Sequence, residues 1–227
     1  MVSIKSLFLA LAATSAMAAP TPGAPEAAAG TIVDTSPAGN DTGASIMAGP
    51  NWYSGPWWNF PGKDTWLSWN ELWQRNDDNM VYAGSTWDDV GRLNVAIWNI
   101  ANEYGIDPRV LLVMVMQESS GYVGVRTTYS WQGIATAGVL QCMNCPGYPG
   151  RNNLSQDEIN GMIRGGAAHF RADLDQVGGN GWEPSSVYPA LRRYNSGVVD
   201  HNDLSNGLGA TTDYVSDIVQ RLGGWTY

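Results

Sequence analysis

The sequence predicts a mainly α fold, on three observations. Apolar residues recur at helical spacing, as in Val90, Leu93, Ile97 and Ile100. Start and stop signals bracket several such runs: Asp107-Pro108, Ser155 with Glu158, and Gly223-Gly224. Alternating strand patterns are sparse. A chain of 227 residues suits one sizeable core. With 44% hydrophobic and 15% charged residues, its composition is that of a folding chain.

Residues 1–18 read as a secretory signal, with Lys5 as the positive start, Leu7–Ala12 as the apolar run and Ala16-Met17-Ala18 as a small-x-small cleavage site. No apolar stretch reaches the roughly 20 residues of a membrane span, so no membrane attachment is expected after cleavage. Residues 19–50, rich in Ala, Pro and Gly, read as a flexible linker or pro-segment. Residues 51–227 then form one domain. It opens on a Trp-rich collar holding Trp52, Trp57, Trp58, Trp66, Trp69 and Trp73. Trp66, Trp69 and Trp73 lie at i, i+3 and i+7, a packing stripe. Trp57, Trp58 and Trp131 are better placed to stack on a ligand ring.

From residue 86 the pattern is helical, with Ser85 and Asp88 resembling a capping box and Gly105 as a stop. Asp107-Pro108 restarts a helix as N-cap and first turn. The run Val110–Met116 is apolar on every side; it reads as a buried strand or a buried central helix, and the cap signals favour the helix, ending near Glu118. Ser155–Glu158 opens a helix through about Leu174. Further helices cover Ser186–Tyr194 and about Asp213–Leu222.

Charge excludes some functions. The chain has 12 Lys+Arg against 21 Asp+Glu, net −9, and loss of Lys5 with the signal takes it to −10. Nucleic-acid binding needs clustered cations, which this chain lacks. His169 and His201 share no ligand spacing with cysteines or acids, so no metal and no cofactor is expected. Cys142 and Cys145 sit in a Pro/Gly-rich loop, where a local disulfide suits a secreted chain better than a redox pair. Asn40 and Asn153 begin N-glycosylation sequons.

Glu118 carries the chemical interest. On a helix, Leu111, Met114 and Val115 share its face at i−7, i−4 and i−3. A carboxyl among such groups loses hydration, which raises its pKa and suits it to protonate a glycosidic oxygen. The plainer alternative is a helix-end Glu that reaches solvent.

Four segments in order resemble the soluble lytic transglycosylase and goose-type lysozyme family, most closely its secreted fungal branch. They are Gln117-Glu118-Ser119-Ser120-Gly121, Gly138-Val139-Leu140-Gln141, Met162–Gly166 with His169-Phe170, and Ala190–Gly197, which contains Tyr194-Asn195-Ser196-Gly197. The match spans roughly 86–200. The resemblance implies a lysozyme-like α domain that binds β-1,4-linked N-acetylated sugars, as in peptidoglycan. It implies Glu118 as the catalytic acid, with Ser119, Gln141, Tyr194 and Asn195 at the substrate; Trp131 joins them as a ring placed to stack on sugar. Within that pattern Gln141 hydrogen-bonds sugar, the Tyr194 hydroxyl orients the Glu118 carboxyl, and Asn195 binds substrate or braces the turn. Each has a plainer alternative: Gln141 as a turn residue, Tyr194 as a core aromatic, Asn195 as a helix C-cap.

Two departures matter. Met162 stands where the family has Asn. Between Ser119 and Ala137 there is no Asp or Glu, whereas goose-type lysozymes place aspartates there. Most glycosidases use two carboxylates. With one, the substrate's own N-acetyl and 6-hydroxyl groups can supply the second role, giving a 1,6-anhydro product. Asp200 remains as a distant acid for a hydrolytic alternative, on peptidoglycan or a chitin-like polymer. A non-catalytic, secreted carbohydrate-binding protein is the alternative of another class. A secreted monomer is expected, and its negative charge is poorly suited to anionic walls.

Overall fold

The computed structural model describes residues 51–129 and 133–226. The signal, the linker, Asn40 and Trp131 lie outside the described residues. Six helices dominate: α1 (Trp69–Tyr82), α2 (Trp87–Glu103), α3 (Pro108–Ser119), α4 (Gln156–Val177), α5 (Pro184–Ser196) and α6 (Tyr214–Leu222). Two 3-10 turns, Trp57–Asn59 and Lys63–Thr65, precede them. The mainly α expectation holds. Among the described residues, no helix is long and apolar enough to cross a membrane.

The helix starts follow their caps. Ser68, Thr86 and Ser155 each form a full capping box, with Glu71, Asp89 and Glu158 reaching back. The box on α2 lies one residue beyond the expected Ser85/Asp88 pair. Ser85 is used elsewhere: its hydroxyl donates to the Gly121 carbonyl at 2.8 Å and accepts from Val123 N at 3.0 Å. Asp107 caps α3 by accepting from Arg109 N, with Pro108 in the first turn. The apolar run is therefore helix rather than strand.

Helix α3 is the axis of the domain. Every residue from Val110 to Met116 is buried, and α3 packs against α1, α2 and α6. Each such large side chain contributes about 1.5–3 kcal/mol by leaving water. The helix ends sharply, because Ser120 (φ 51°) and Gly121 (φ 72°) both take left-handed conformations. A Cβ at Gly121 would collide with the Met80 side chain, so the turn demands glycine twice over.

Helix α4 packs on α2 and α5, and α5 packs on α6. One hydrophobic cluster runs from Phe60 to Leu222. A small antiparallel sheet lies between α3 and α4 in the chain: β1 (Thr128–Tyr129), β2 (Ala135–Ala137) and β3 (Cys142–Met143), in that order. Thr128 pairs with Thr136, and Ala137 with Cys142. The sequence did not announce it, since strands of two or three residues are too short to show alternation. The Cys142–Cys145 disulfide is formed and closes the turn after β3.

The collar packs as a mixed layer. Trp66 is buried and donates its indole N–H to the Tyr188 hydroxyl at 2.9 Å. It precedes α1 rather than sharing its stripe. Trp69 stacks on Trp73 with ring centroids 5.5 Å apart. Trp58 is largely exposed, while Trp57 packs against the core.

Glycines on α4 set how closely the β2–β3 turn approaches. A Cβ at Gly166 would lie 2.5 Å from Leu140 Cβ, whereas one at Gly161 would meet Pro146 Cγ at an ordinary 3.6 Å. Gly166→Ala should therefore cost about 1–3 kcal/mol in denaturant unfolding by forcing the turn away. Gly161→Ala on the same helix should be neutral or stabilising by up to about 1 kcal/mol. Equal effects at the two positions would contradict this packing.

Candidate active site

Helix α3 delivers Glu118 at its C-terminal end, just before the left-handed turn. The residue keeps partial exposure, so it borders the surface. Its carboxyl is nonetheless desolvated, which pushes the pKa up to about 7 from 4.5. One hydrogen bond opposes the shift: the Tyr214 hydroxyl donates to Glu118 Oε1 at 2.6 Å. Among the described residues, no other acid contributes to it.

Asp89 shows what a structural buried acid looks like in the same fold. It is 0% exposed. Burial pushes its pKa up, but hydrogen bonds from Thr86, Asn153 and Leu154 outweigh this and hold it below the usual carboxylate range. Asn153 N and Leu154 N both donate at 2.8 Å. Asp89 has its lone pairs filled and its charge stabilised. Glu118 has one donor, and desolvation outweighs it.

The turn Gly138–Gln141 faces this helix end and is clamped from two helices. The Ser119 hydroxyl lies within donating distance of two carbonyls, Val139 O at 2.9 Å and Val115 O at 3.0 Å. Tyr194 Oη donates to the Leu140 carbonyl at 2.6 Å. Gly138 (φ 71°) and Gln141 (φ 44°) give the turn its shape, and a Cβ at Gly138 would lie 2.5 Å from the Pro146 carbonyl. On α4, a Cβ at Gly165 would lie 2.8 Å from Cys145 Sγ, so the disulfide is seated directly on the helix. The four segments noted in the sequence thus meet around one turn.

Several side chains differ from expectation. The Tyr194 hydroxyl does not orient the Glu118 carboxyl; it is committed to Leu140 O, and Tyr214 from α6 takes the carboxyl instead. Both phenols stay protonated donors, since burial and the Glu118 charge hold their pKa values well above 10. Asn195 faces the core at 2% exposure and accepts from the buried Arg192 guanidinium. The C-cap of α5 is Gly197 rather than Asn195. Arg192, 0% exposed, also donates to Thr211 O at 2.9 Å, so Asn195 serves a buried cation that needs acceptors. Gln141 Nε2 donates to Gly138 O at 2.9 Å and Arg126 O at 3.3 Å, and its Oε1 accepts from Thr128 at 3.2 Å. It braces the turn and sheet from a half-buried position. Asp200 is spent on its own loop, accepting from Asn202 N and Asn206 Nδ2. Met162 is buried against Gly138.

Tyr214 is the residue the sequence reading passed over. It lies 96 residues from Glu118. The available signal was its place on the buried face of a short amphipathic helix with Ile218 and Leu222, where a phenol needs a partner. The same helix touches the other side of the α3 terminus: Arg221 Nε donates to Gln117 Oε1 at 2.7 Å and Gln117 Nε2 to Asp217 at 3.4 Å. Among the described residues, no group of three or more His, Cys, Asp or Glu is arranged to hold a metal ion. The chain matches no protein-family model, and no curated protein matches it.

With the folded-state pKa raised, ionising Glu118 destabilises the fold as pH climbs from about 4.5 through about 7. Glu118→Gln removes that cost. The variant should melt close to the wild type at pH 4 and roughly 10 °C above it at pH 8. A difference independent of pH, read by calorimetry, would contradict the desolvation of this carboxyl.

Proposed function

We propose that this chain is a secreted, lysozyme-like glycosidase that cleaves β-1,4 bonds between N-acetylmuramic acid and N-acetylglucosamine by lytic transglycosylase chemistry. One observation carries the proposal: the Glu118 carboxyl is raised by desolvation to a pKa of about 7, above the values of about 6 for Asp173 and Asp217, and no other acid contributes to its shift. The convergence of the Glu118, Gly138–Gln141, α4 and α5 segments on one turn supports it.

In the proposed reaction, protonated Glu118 gives its proton to the glycosidic oxygen as the C1–O bond breaks, and the N-acetylglucosamine part leaves as an alcohol. The substrate's N-acetyl oxygen supports the positive charge at C1. Glu118, now a carboxylate held by the Tyr214 hydroxyl, removes the proton of the 6-hydroxyl as its oxygen closes on C1. The product ends in a 1,6-anhydro sugar, Glu118 regains its proton, and no water is consumed. Tyr214 suits this cycle, because its hydrogen bond stabilises the ionised form that proton donation leaves behind. Tyr194, Ser119 and Gln141 act as positioning residues that hold the turn beside the acid.

Glu118→Gln should abolish release of fragments from purified peptidoglycan while polymer binding persists. Wild-type turnover should decline as pH rises past about 7, where the acid loses its proton. Mass spectrometry of the products should show anhydro ends. Reducing ends alone would favour hydrolysis, and turnover surviving in the variant would refute the role of Glu118.

A further inference from the structure

A second feature lies at the other end of α3. A cleft of about 280 Å³ is lined by Trp69, Trp98 and Trp182 with Asn102, Asp107 and Arg109. Asp107 and Arg109 stand at the start of the helix that Glu118 ends, so the cleft is roughly 15 Å from the acid along the axis. Glu118 is not part of its wall.

The rings are held from behind. Trp69 stacks on Trp73 and meets the edge of Trp98 at 5.2 Å. Trp98 is 45% and Trp182 38% exposed, and Lys63, paired with Glu183 at 3.3 Å, lies over the Trp182 ring at 5.9 Å, leaving its other face for a ligand. The one cation on the wall is already neutralised. Arg109 Nη2 donates to Asp107 Oδ2 at 2.7 Å, its Nε to Asp107 Oδ1 at 3.0 Å and its Nη1 to the Leu67 carbonyl at 3.2 Å. It also lies over the Trp66 ring at 5.1 Å. An anion would have to break this pairing to be recognised. A net-neutral slot of flat rings, edged by the exposed Asn102 amide, suits a neutral ligand with one apolar face and polar edges.

We propose that this cleft is a second glycan-binding site, taking a neutral run of N-acetylated pyranose units whose C–H faces stack on Trp98 and Trp182. Its size, close to the roughly 300 Å³ lower bound of ordinary ligand sites, fits a short stretch of chain rather than a folded partner. The site shares with the catalytic proposal only its ligand class and does not need Glu118 to turn over. Its role would be to hold polymer to the enzyme, adding an anchoring contact to the one at the acid.

The test uses insoluble β-1,4-linked N-acetylglucosamine polymer in a depletion assay and a short soluble oligomer or peptidoglycan fragment for turnover. Trp98→Ala and Trp182→Ala should each weaken polymer retention roughly fivefold to tenfold. Trp98→Tyr should restore most of it. Turnover of the short soluble fragment should stay at the wild-type level, which also shows that the variants fold. Unchanged retention in both alanine variants would overturn the proposal. So would wild-type self-association, seen by sedimentation and lost in Trp98→Ala, because the cleft would then be an interface between copies. If the wild type cuts no glycan but the alanine variants still lose retention, the catalytic reading fails and the second site stands.

Discussion

The candidate site depends on the withdrawal of the Glu118 carboxyl from water. Glu118 is brought to that state by a helix buried on every side, so its surroundings are set by the core itself and not by a flexible loop. Two buried acids in this fold make the constraint clear. Asp89 is surrounded by backbone and hydroxyl donors and ionises readily, at the cost of doing nothing but joining the start of α2 to the start of α4. Glu118 is given a single phenol, too little to offset its desolvation. The two carboxyls differ in donor count: several donors hold the Asp89 pKa down, and one does not hold down that of Glu118.

The turn Gly138–Gln141 translates that buried state into a site. It is tied to α3 through Ser119, to α5 through Tyr194, and to α4 through the contact of Gly165 and Gly166 with Cys145 and Leu140. Polar side chains that looked like ligand contacts turn out to hold this junction together. A junction built this way is rigid where the carboxyl sits.

Much of the fold was legible because helix signals are local. Asp107-Pro108, Ser155 with Glu158, and Gly223-Gly224 mark real boundaries. The one-residue error at Ser85 arose because two hydroxyls adjoin, and only the fold reveals that Ser85 is claimed by the turn after α3. Helix α1 was half-seen as a tryptophan stripe: its buried line, Leu72, Asn76 and Met80, is interrupted by a polar residue whose amide donates to Leu72 O. In the site, Glu118 could be found from its apolar neighbours at helical spacing. The partner of its carboxyl could not, because two tyrosines lie within reach and only tertiary packing decides that Tyr214 takes Glu118 while Tyr194 takes Leu140. Asn195 misled for a related reason, since the buried Arg192 that claims it is invisible without burial.

The most direct test of the account is the titration of Glu118 itself. Side-chain carboxyl carbons of 13C-labelled glutamate can be followed by NMR across pH, with the Glu118→Gln variant assigning the signal. The account predicts that the glutamate signal missing from the variant titrates near 7. If the resonance missing in the variant titrates near the ordinary value of 4.5, the carboxyl is solvated and the account of this site is wrong.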